Sequence, residues 1–451
     1  MVGQTRLILT IVGLALAATP ATAQDGTGDV AGLGAGARTS VALEDIFDDP
    51  GSVDKNVAYA LQLIDEGRTA SAASALERVL LLQPDLERVR LLYAIVLYRL
   101  GNLREAQLEF ESVPRDTLEP RLRSLVDDYQ ARINRRLAKW SGSATIGAGV
   151  KYDSNRNAYP DSGDFTVLGN RIEGLDDEQE DFGLFALGSG QINYDPGLQR
   201  TDQIYLRGSL FGQDQQQEHR LDLAAAALEA GTVYYGDFVT VRPRLRYRHI
   251  QLGGSPYLND VSAGARVEHQ VKGQPQLTFF AAGDLGYEAF NDSDNFPFAE
   301  EQDGTIFVGK LGAEALVTPR FRLDMAYTGT NKRADVDFEA YDAHEFGIAG
   351  TYAFPNQSFL RLETSVEFQN FDAADPFINA GVERRDVEKR ISLTYGIELA
   401  SLLPSDSTVA PYLENTLAAA TIGFTDQDSN IRNYDYQNVS GRLIVTRSFN
   451  F

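Results

Sequence analysis

From Trp140 to Phe451 the chain alternates apolar and polar residues with a period of two and never returns to a helical period. In the first segment Trp140, Ala144, Ile146, Ala148, Val150 and Tyr152 share one face. Ser141, Ser143, Thr145, Gly147, Gly149 and Lys151 share the other. Fourteen such segments fit between residues 141 and 451, about 22 residues for each strand with its connection. A strand pattern sustained this long leaves two solutions: a soluble pair of stacked sheets, or a closed barrel with one face turned to lipid. The connections discriminate between them. Short turns are expected at Pro196-Gly197, Gly236-Asp237, Gly273-Gln274-Pro275, Pro319-Arg320, Pro355-Asn356 and Pro404-Ser405. Longer, mostly acidic loops are expected at 154–180, 213–217, 251–258, 290–302, 332–340, 371–383 and 422–435. Short turns on one side and long loops on the other is the plan of a transmembrane barrel, with the short turns periplasmic. A mean hydropathy of −0.26 does not oppose this, because alternation averages to a soluble value.

The N-terminus points to export. Arg6 precedes a mostly apolar run from Leu7 to Ala18, and Ala21-Thr22-Ala23 supplies a small-x-small cleavage site at Ala21 and Ala23. Residues 1–23 are thus expected to be a signal peptide. Residues 24–52, rich in Gly, Ala and Asp without apolar periodicity, read as a flexible linker.

Residues 53–139 are helical and repetitive. Gly67 and Gly101, Ala72 and Ala106, Leu76 and Phe110, and Val79 and Val113 are each 34 residues apart. That period and those residue types resemble the tetratricopeptide repeat (TPR): Gly ends the first helix of a pair, Ala lets the helices approach, and a large apolar residue fills the gap. Pro84 falls between the repeats. Pro114 arrives early and predicts a short final helix, with residues 118–139 capping the stack. The whole chain therefore reads as an α-helical TPR module followed by an all-β antiparallel transmembrane barrel of about 14 strands over residues 140–451.

The sharpest side-chain pattern is a ladder. Val239, Val241, Leu245 and Tyr247 on the lipid face leave Arg242, Arg244, Arg246 and Arg248 pointing into the lumen, where parity also places Arg266 with Glu268, Arg361 with Glu363 and Glu367, and Arg390 with Glu398. Confined charges need partners or water, so an ion-pair network is expected, one that also offers a charged track to a passenger. No catalytic or metal constellation is legible. There is no Cys, the four His are scattered without metal spacing, and no Gly-x-Ser-x-Gly elbow occurs. Neither an enzyme nor a cofactor or metal is expected. With 64 acidic against 41 basic residues, a net charge of −23 opposes nucleic acid as a partner.

The module order and strand count, with the segment Asp153-Ser154-Asn155-Arg156-Asn157 after the first strand, resemble the surface lipoprotein assembly modulators (Slam), the outer-membrane proteins of type XI secretion. The closing aromatic strand, with Phe449 and Phe451, resembles the signal read by the barrel assembly machinery. The resemblance implies a monomeric barrel in outer-membrane lipid with a periplasmic TPR domain, exporting a secreted or lipidated protein client. In the family's helical geometry Val57, Leu61, Ile64, Leu91, Ile95 and Tyr98 fall near the concave groove, the alternative being that they pack against the 118–139 helix. A polysaccharide exporter, with aromatic stacking along its lumen, and a general porin are the alternatives.

Overall fold

The computed structural model describes residues 46, 49 and 51–451, apart from 67, 175–176, 198–202, 237, 272–275 and 405–406. The expected signal segment 1–23, with Ala21 and Ala23, and nearly all of the expected linker 24–52 lie outside the described residues. The chain divides into two compact units between Lys139 and Trp140.

The helical unit contains α1 (Val53–Asp65), α2 (Thr69–Leu82), α3 (Glu87–Arg99), α4 (Leu103–Glu111) and α5 (Pro120–Leu137). Ser52 caps α1 by accepting the Lys55 N–H at its hydroxyl. Gly101, at φ +82°, ends α3 where a side chain would be strained. The repeated positions Ala72, Ala106, Leu76, Phe110 and Val113 are buried in one apolar core, and Val79 is buried as well. Helix α4 is short, as the early Pro114 predicts, and α5 closes the stack. Tyr129 of α5 stacks on Phe110 at 5.5 Å and meets Tyr98 edge-on at 5.2 Å.

In the second unit the order is β1 (Trp140–Asp153), β2 (Asp164–Val167), β3 (Asn170–Glu173), β4 (Asp181–Tyr194), β5 (Gln203–Gln215), β6 (Leu223–Tyr235), β7 (Thr240–Leu252), β8 (Ser255–Gln270), β9 (Leu277–Phe290), β10 (Gly304–Thr318), β11 (Phe321–Ala334), β12 (Tyr341–Ala353), β13 (Ser358–Phe371), β14 (Arg385–Glu398), β15 (Thr416–Ser429) and β16 (Tyr436–Asn450). Apart from the β2–β3 hairpin, these strands form one closed antiparallel barrel of fourteen, in which β1 pairs with both β4 and β16. At the seam Gly142 and Phe451 exchange backbone hydrogen bonds of 2.7 and 3.0 Å. The Phe451 ring lies over the side-chain-free face of Gly142.

Large apolar residues from every barrel strand stand outward and exposed, among them Ile146, Leu184, Leu210, Leu245, Leu285 and Leu443. A continuous apolar band on a closed sheet is the solution for a chain that must satisfy its backbone in lipid. Aromatic pairs bound it in the first hairpin, Trp140 with Tyr194 at one end and Tyr152 with Phe182 at the other. Inward, Gly149, Gly231, Gly312 and Gly396 leave room for rings of neighbouring strands, Phe185, Tyr205, Phe280 and Phe359, to lie flat on the wall.

Three expected connections differ. The loop expected at 251–258 is the two-residue turn Gly253-Gly254, with φ of +56° and +79°, the left-handed pair a tight hairpin demands. Pro404-Ser405 is not a short turn. The connection spans 399–415 and contains a 3₁₀ turn (Leu399–Leu402) and the helical turn α7 (Ala410–Leu413), with Pro411 at its start. Strand β15 therefore begins at Thr416 instead of the expected 407, and the last outward loop shrinks to 430–435. Within β7, Pro243 has no N–H to donate, and the ladder to β6 is interrupted between Gly231/Arg244 and Tyr234/Val241.

The topology is open to a direct check. Single Cys substitutions in 291–303 and 372–384 should react with an impermeant maleimide on intact cells, while one at Asn356 should react only after permeabilisation. Labelling at Asn356 without labelling at the two loops would invert the orientation.

Candidate functional site

The lumen has two unlike walls. On β15, β16 and β1 the inward positions are mostly small or hydroxyl-bearing, and β14 joins them at Ser392, Thr394 and Gly396. Thr394 meets Thr421 at 2.9 Å and Thr145 meets Ser448 at 3.0 Å. The wall formed by β7 to β13 is charged, and there the Arg ladder lies. Arg242 pairs with Glu268 at 3.2 Å, Arg244 grips Asp284 at 2.9 and 2.5 Å, and Arg248 holds Asp260 at 2.7 Å with Glu288 at 3.7 Å. Arg246 reaches Asp284 only at 4.0 Å. Arg266 bridges Glu268 and Glu314 at 2.6 and 2.7 Å while covering the Phe280 ring at 3.7 Å. Arg361 joins Asp324 and Glu363 at 3.3 and 2.9 Å. Arg390 does not meet Glu398. It pairs with Glu388, Glu345 and Glu367, while Glu398 accepts the Asn415 N–H at 3.1 Å. Strand tilt sets these diagonal partners, and parity alone gives only the face.

Toward the outward end, ions give way to apolar packing on the same inward face of β7. Ile250 and Leu252 continue the ladder's parity and pack with Leu221, Leu223, Leu258 and Phe290. The buried pair Lys332–Glu288, at 2.9 Å, lies beside the Phe290 ring. Strands of 13 to 16 residues exceed what a bilayer requires, so this end of the barrel continues past the lipid.

The Asp153-Ser154-Asn155-Arg156-Asn157 segment has a physical role in each residue: it fastens the first outward loop. Ser154 extends the seam to Val439 through hydrogen bonds of 2.9 Å in both directions. Asn155 turns the chain by bonding Tyr159 at its N–H and its carbonyl, both at 2.8 Å. Asn157 bridges to Asp177 and Gln179 at 3.0 and 3.1 Å. Asp153 accepts from Asn438 at 3.0 Å and pairs with Lys151 at 2.8 Å.

Arg156 is fully buried and donates to the Leu221 carbonyl at 3.2 Å. The Gln215 side-chain carbonyl, in the orientation that satisfies its neighbours, accepts from Arg156 Nε and Nη2 at 2.8 and 2.9 Å. Burial works against this charge, and the carboxylates of Asp153 and Asp181 are its main compensation. Asp181 in turn accepts the N–H groups of Gln216, Gln217 and Glu218. Loop 154–180 thus ties to loop 216–222 on one flank. On the other it bonds Asn433 from Thr166, and Phe377 and Ile378 of α6 (Pro376–Asn379) from Leu168 and Gly169. The motif was visible in the sequence, but its role as an anchor was not.

A second cluster at the mouth centres on Arg384. Its guanidinium lies 3.3 Å from the Tyr434 ring centre and 4.5 Å from that of Phe371, and it pairs with Asp386 at 2.6 Å. Glu339, in the 335–340 connection, is pushed up to about 7, chiefly by burial. Arg384 and Lys332 oppose the rise, while Asp375 and Glu301 add to it.

The expected groove of the helical unit is not as drawn. Leu91 and Ile95 are wholly buried and Tyr98 is 5 % exposed, so these three belong to the helical core. They share one apolar core with residues of α1, α2, α4 and α5, and Tyr98 meets Tyr129 of α5 there. Val57, Leu61 and Ile64 are half-buried. Phe449 stands outward at the end of β16, with Arg447 beside its ring at 5.4 Å. One group that sequence spacing did not single out, Asp214, His219 and Asp222, gathers in the 216–222 region with its ligand atoms within 4.8 Å of one another.

Residues 63–129 match the tetratricopeptide repeat family model. No curated protein matches the chain in sequence. Among solved structures, the outer membrane channel DcaP of Acinetobacter baumannii is similar at 9% identity and a TM-score of 0.39, covering 69% of this chain and 97% of that one. An anion-selective porin from Comamonas acidovorans is similar at 9% identity and 0.36, covering 69% and 99%. A loop-deletion mutant of OmpT, an outer membrane protein of Vibrio cholerae, is similar at 12% identity and 0.37, covering 68% and 99%. The chain is a TPR-like helical region followed by a closed antiparallel barrel of fourteen strands.

Two outcomes follow from the mouth. Arg156→Ala should loosen loop 154–180, costing about 3 kcal/mol of local stability because Asp153 and Asp181 lose a buried counter-charge. Faster amide exchange confined to 154–180 and 216–222 checks it. Glu339 takes up a proton on burial, so mouth packing is strongest below about pH 4.5 and weakens as pH rises through about 7. Protection factors in 335–340, corrected for the base-catalysed intrinsic exchange rate, should therefore fall between pH 5 and 7.5, and Glu339→Gln should abolish that fall.

Proposed function

We propose that this chain is an outer-membrane translocon that moves a protein client from the periplasm to the cell surface. In this reading the helical region is periplasmic, because the chain enters β1 at the end carrying the short turns. The observation that carries the reading is the lumen itself, walled by ion pairs and hydroxyls on a barrel that also bears a TPR region. Such a wall exchanges transient polar contacts with an extended polypeptide at many points and grips it at none. The resemblance to the Slam family supports a secreted or lipidated client and insertion by the barrel assembly machinery.

A polysaccharide exporter is less well supported. The inward rings Phe185, Tyr205 and Phe280 are buried flat on glycines and offer no stacking track. Fourteen strands spaced about 4.8 Å apart and tilted near 40° give a backbone diameter of roughly 28 Å, leaving about 10–15 Å between side chains. A client therefore crosses unfolded or as a hairpin, and the mouth loops must part for it.

Deleting the gene and comparing surface and periplasmic proteomes tests this. One or a few proteins should vanish from the surface and accumulate in the periplasm, with recovery on complementation. An unchanged surface proteome with impaired solute uptake would make the chain a porin, and loss of a surface polysaccharide would make it a glycan exporter.

A further inference from the structure

Most lumen cations are already occupied, and this decides which of them can meet a passenger. Arg242, Arg244, Arg248, Arg266 and Arg361 each hold a carboxylate at 3.3 Å or less. An incoming anion would have to displace a tethered partner that is always present at high local concentration. Arg246 stays at 4.0 Å from Asp284, inside the field of that carboxylate.

Arg442 differs. It lies on the inward face of β16, in register with Lys151 of β1 and Thr421 of β15. The Lys151 ammonium is taken up by Asp153, and the Thr421 hydroxyl meets Thr394. Among the described residues no carboxylate lies within ion-pair distance of Arg442, and its Nε is shielded from solvent without a hydrogen-bond partner. The carboxylate acting on it through space, Glu363, is held by Arg361 at 2.9 Å. Both Arg156 and Arg442 act on the charge of Lys151, which Asp153 holds. Lys310 also has no ion pair among the described residues, but it is exposed in the lumen and water solvates it.

We propose that Arg442 is an oxyanion-binding station of the lumen, accepting a carboxylate or phosphate group. A guanidinium that has lost part of its hydration without gaining a partner is stabilised by an oxyanion that presents two oxygens to its fork. The station deepens the passage reading and rests on it only in treating the lumen as the route. It holds whether the passenger is protein or not.

The test is isothermal titration of the full-length protein in detergent micelles with sodium phosphate and, separately, N-acetylglutamate, at constant ionic strength in NaCl. Saturable binding of either probe is expected, and the probe that binds more tightly identifies the source of the group. Arg442→Gln should weaken it about tenfold or more, as for loss of a charge-assisted bidentate contact. Arg442→Lys should retain a weakened site. The charge-neutral double substitution Arg244→Gln with Asp284→Asn, on the other wall, should bind like the wild type. The heat-modifiable gel shift of a folded barrel reports assembly of each variant, and Arg442→Lys decides the matter if Arg442→Gln does not assemble. No saturable binding by the wild type, or wild-type affinity in the Arg442 variants, overturns the proposal. A surface proteome that changes on gene deletion while phosphate and N-acetylglutamate fail to bind would reject the station and leave the translocon reading standing.

Discussion

Every backbone N–H and C=O in contact with lipid must find its partner within the sheet, and the pairing of β1 with β16 is what makes that possible. Ten strands with open edges would be an aggregation hazard, and so would thirteen; closure removes the edge altogether. The exchange between Gly142 and Phe451 completes the seam at one end, and Ser154 with Val439 extends it at the other. The remaining features of the barrel follow from that closure. Side chains must alternate strictly between lipid and lumen, so a charge on the inward face cannot escape to bulk water along the outside.

Confinement explains the organisation of the lumen. Most charges on β7 to β13 are met by a partner on the same, an adjacent or a next-adjacent strand, often shared between two cations. Such networks contribute little net stability beyond what apolar residues would give, but they keep the passage hydrated and fix which strands stand opposite. The wall of β15, β16 and β1 carries few charges, with Lys151 already paired to Asp153, and that is why a guanidinium without a carboxylate is conspicuous there.

The outward end works differently. Beyond the bilayer the inward face of β7 turns apolar, and the loops fold over it by specific hydrogen bonds instead of spreading into solvent. Arg156 and Arg384 each serve as a hub, one by donating to Leu221 and Gln215, the other by lying against aromatic rings. A mouth built on buried cations and a carboxylate titrating near neutrality is held by terms that solvent access can reverse.

The period-two pattern from Trp140 onward, with its strand number and its inward and outward faces, was determined by the sequence alone, because in a barrel the parity of a residue is its environment. The 34-residue repeat likewise fixed which residues of the helical unit are core. Ion-pair partners such as Arg390 with Glu345 were decided only by the tertiary structure, since they depend on tilt and stagger between strands that no single strand records. The same is true of Leu91, Ile95 and Tyr98, whose burial depends on how α1 to α5 pack together. It is true again of Pro404, where local turn chemistry gave no sign of the helical turn that follows. The anchor role of Asp153 to Asn157 needed the loops of distant strands to be brought to one rim, which closure of the barrel alone achieves.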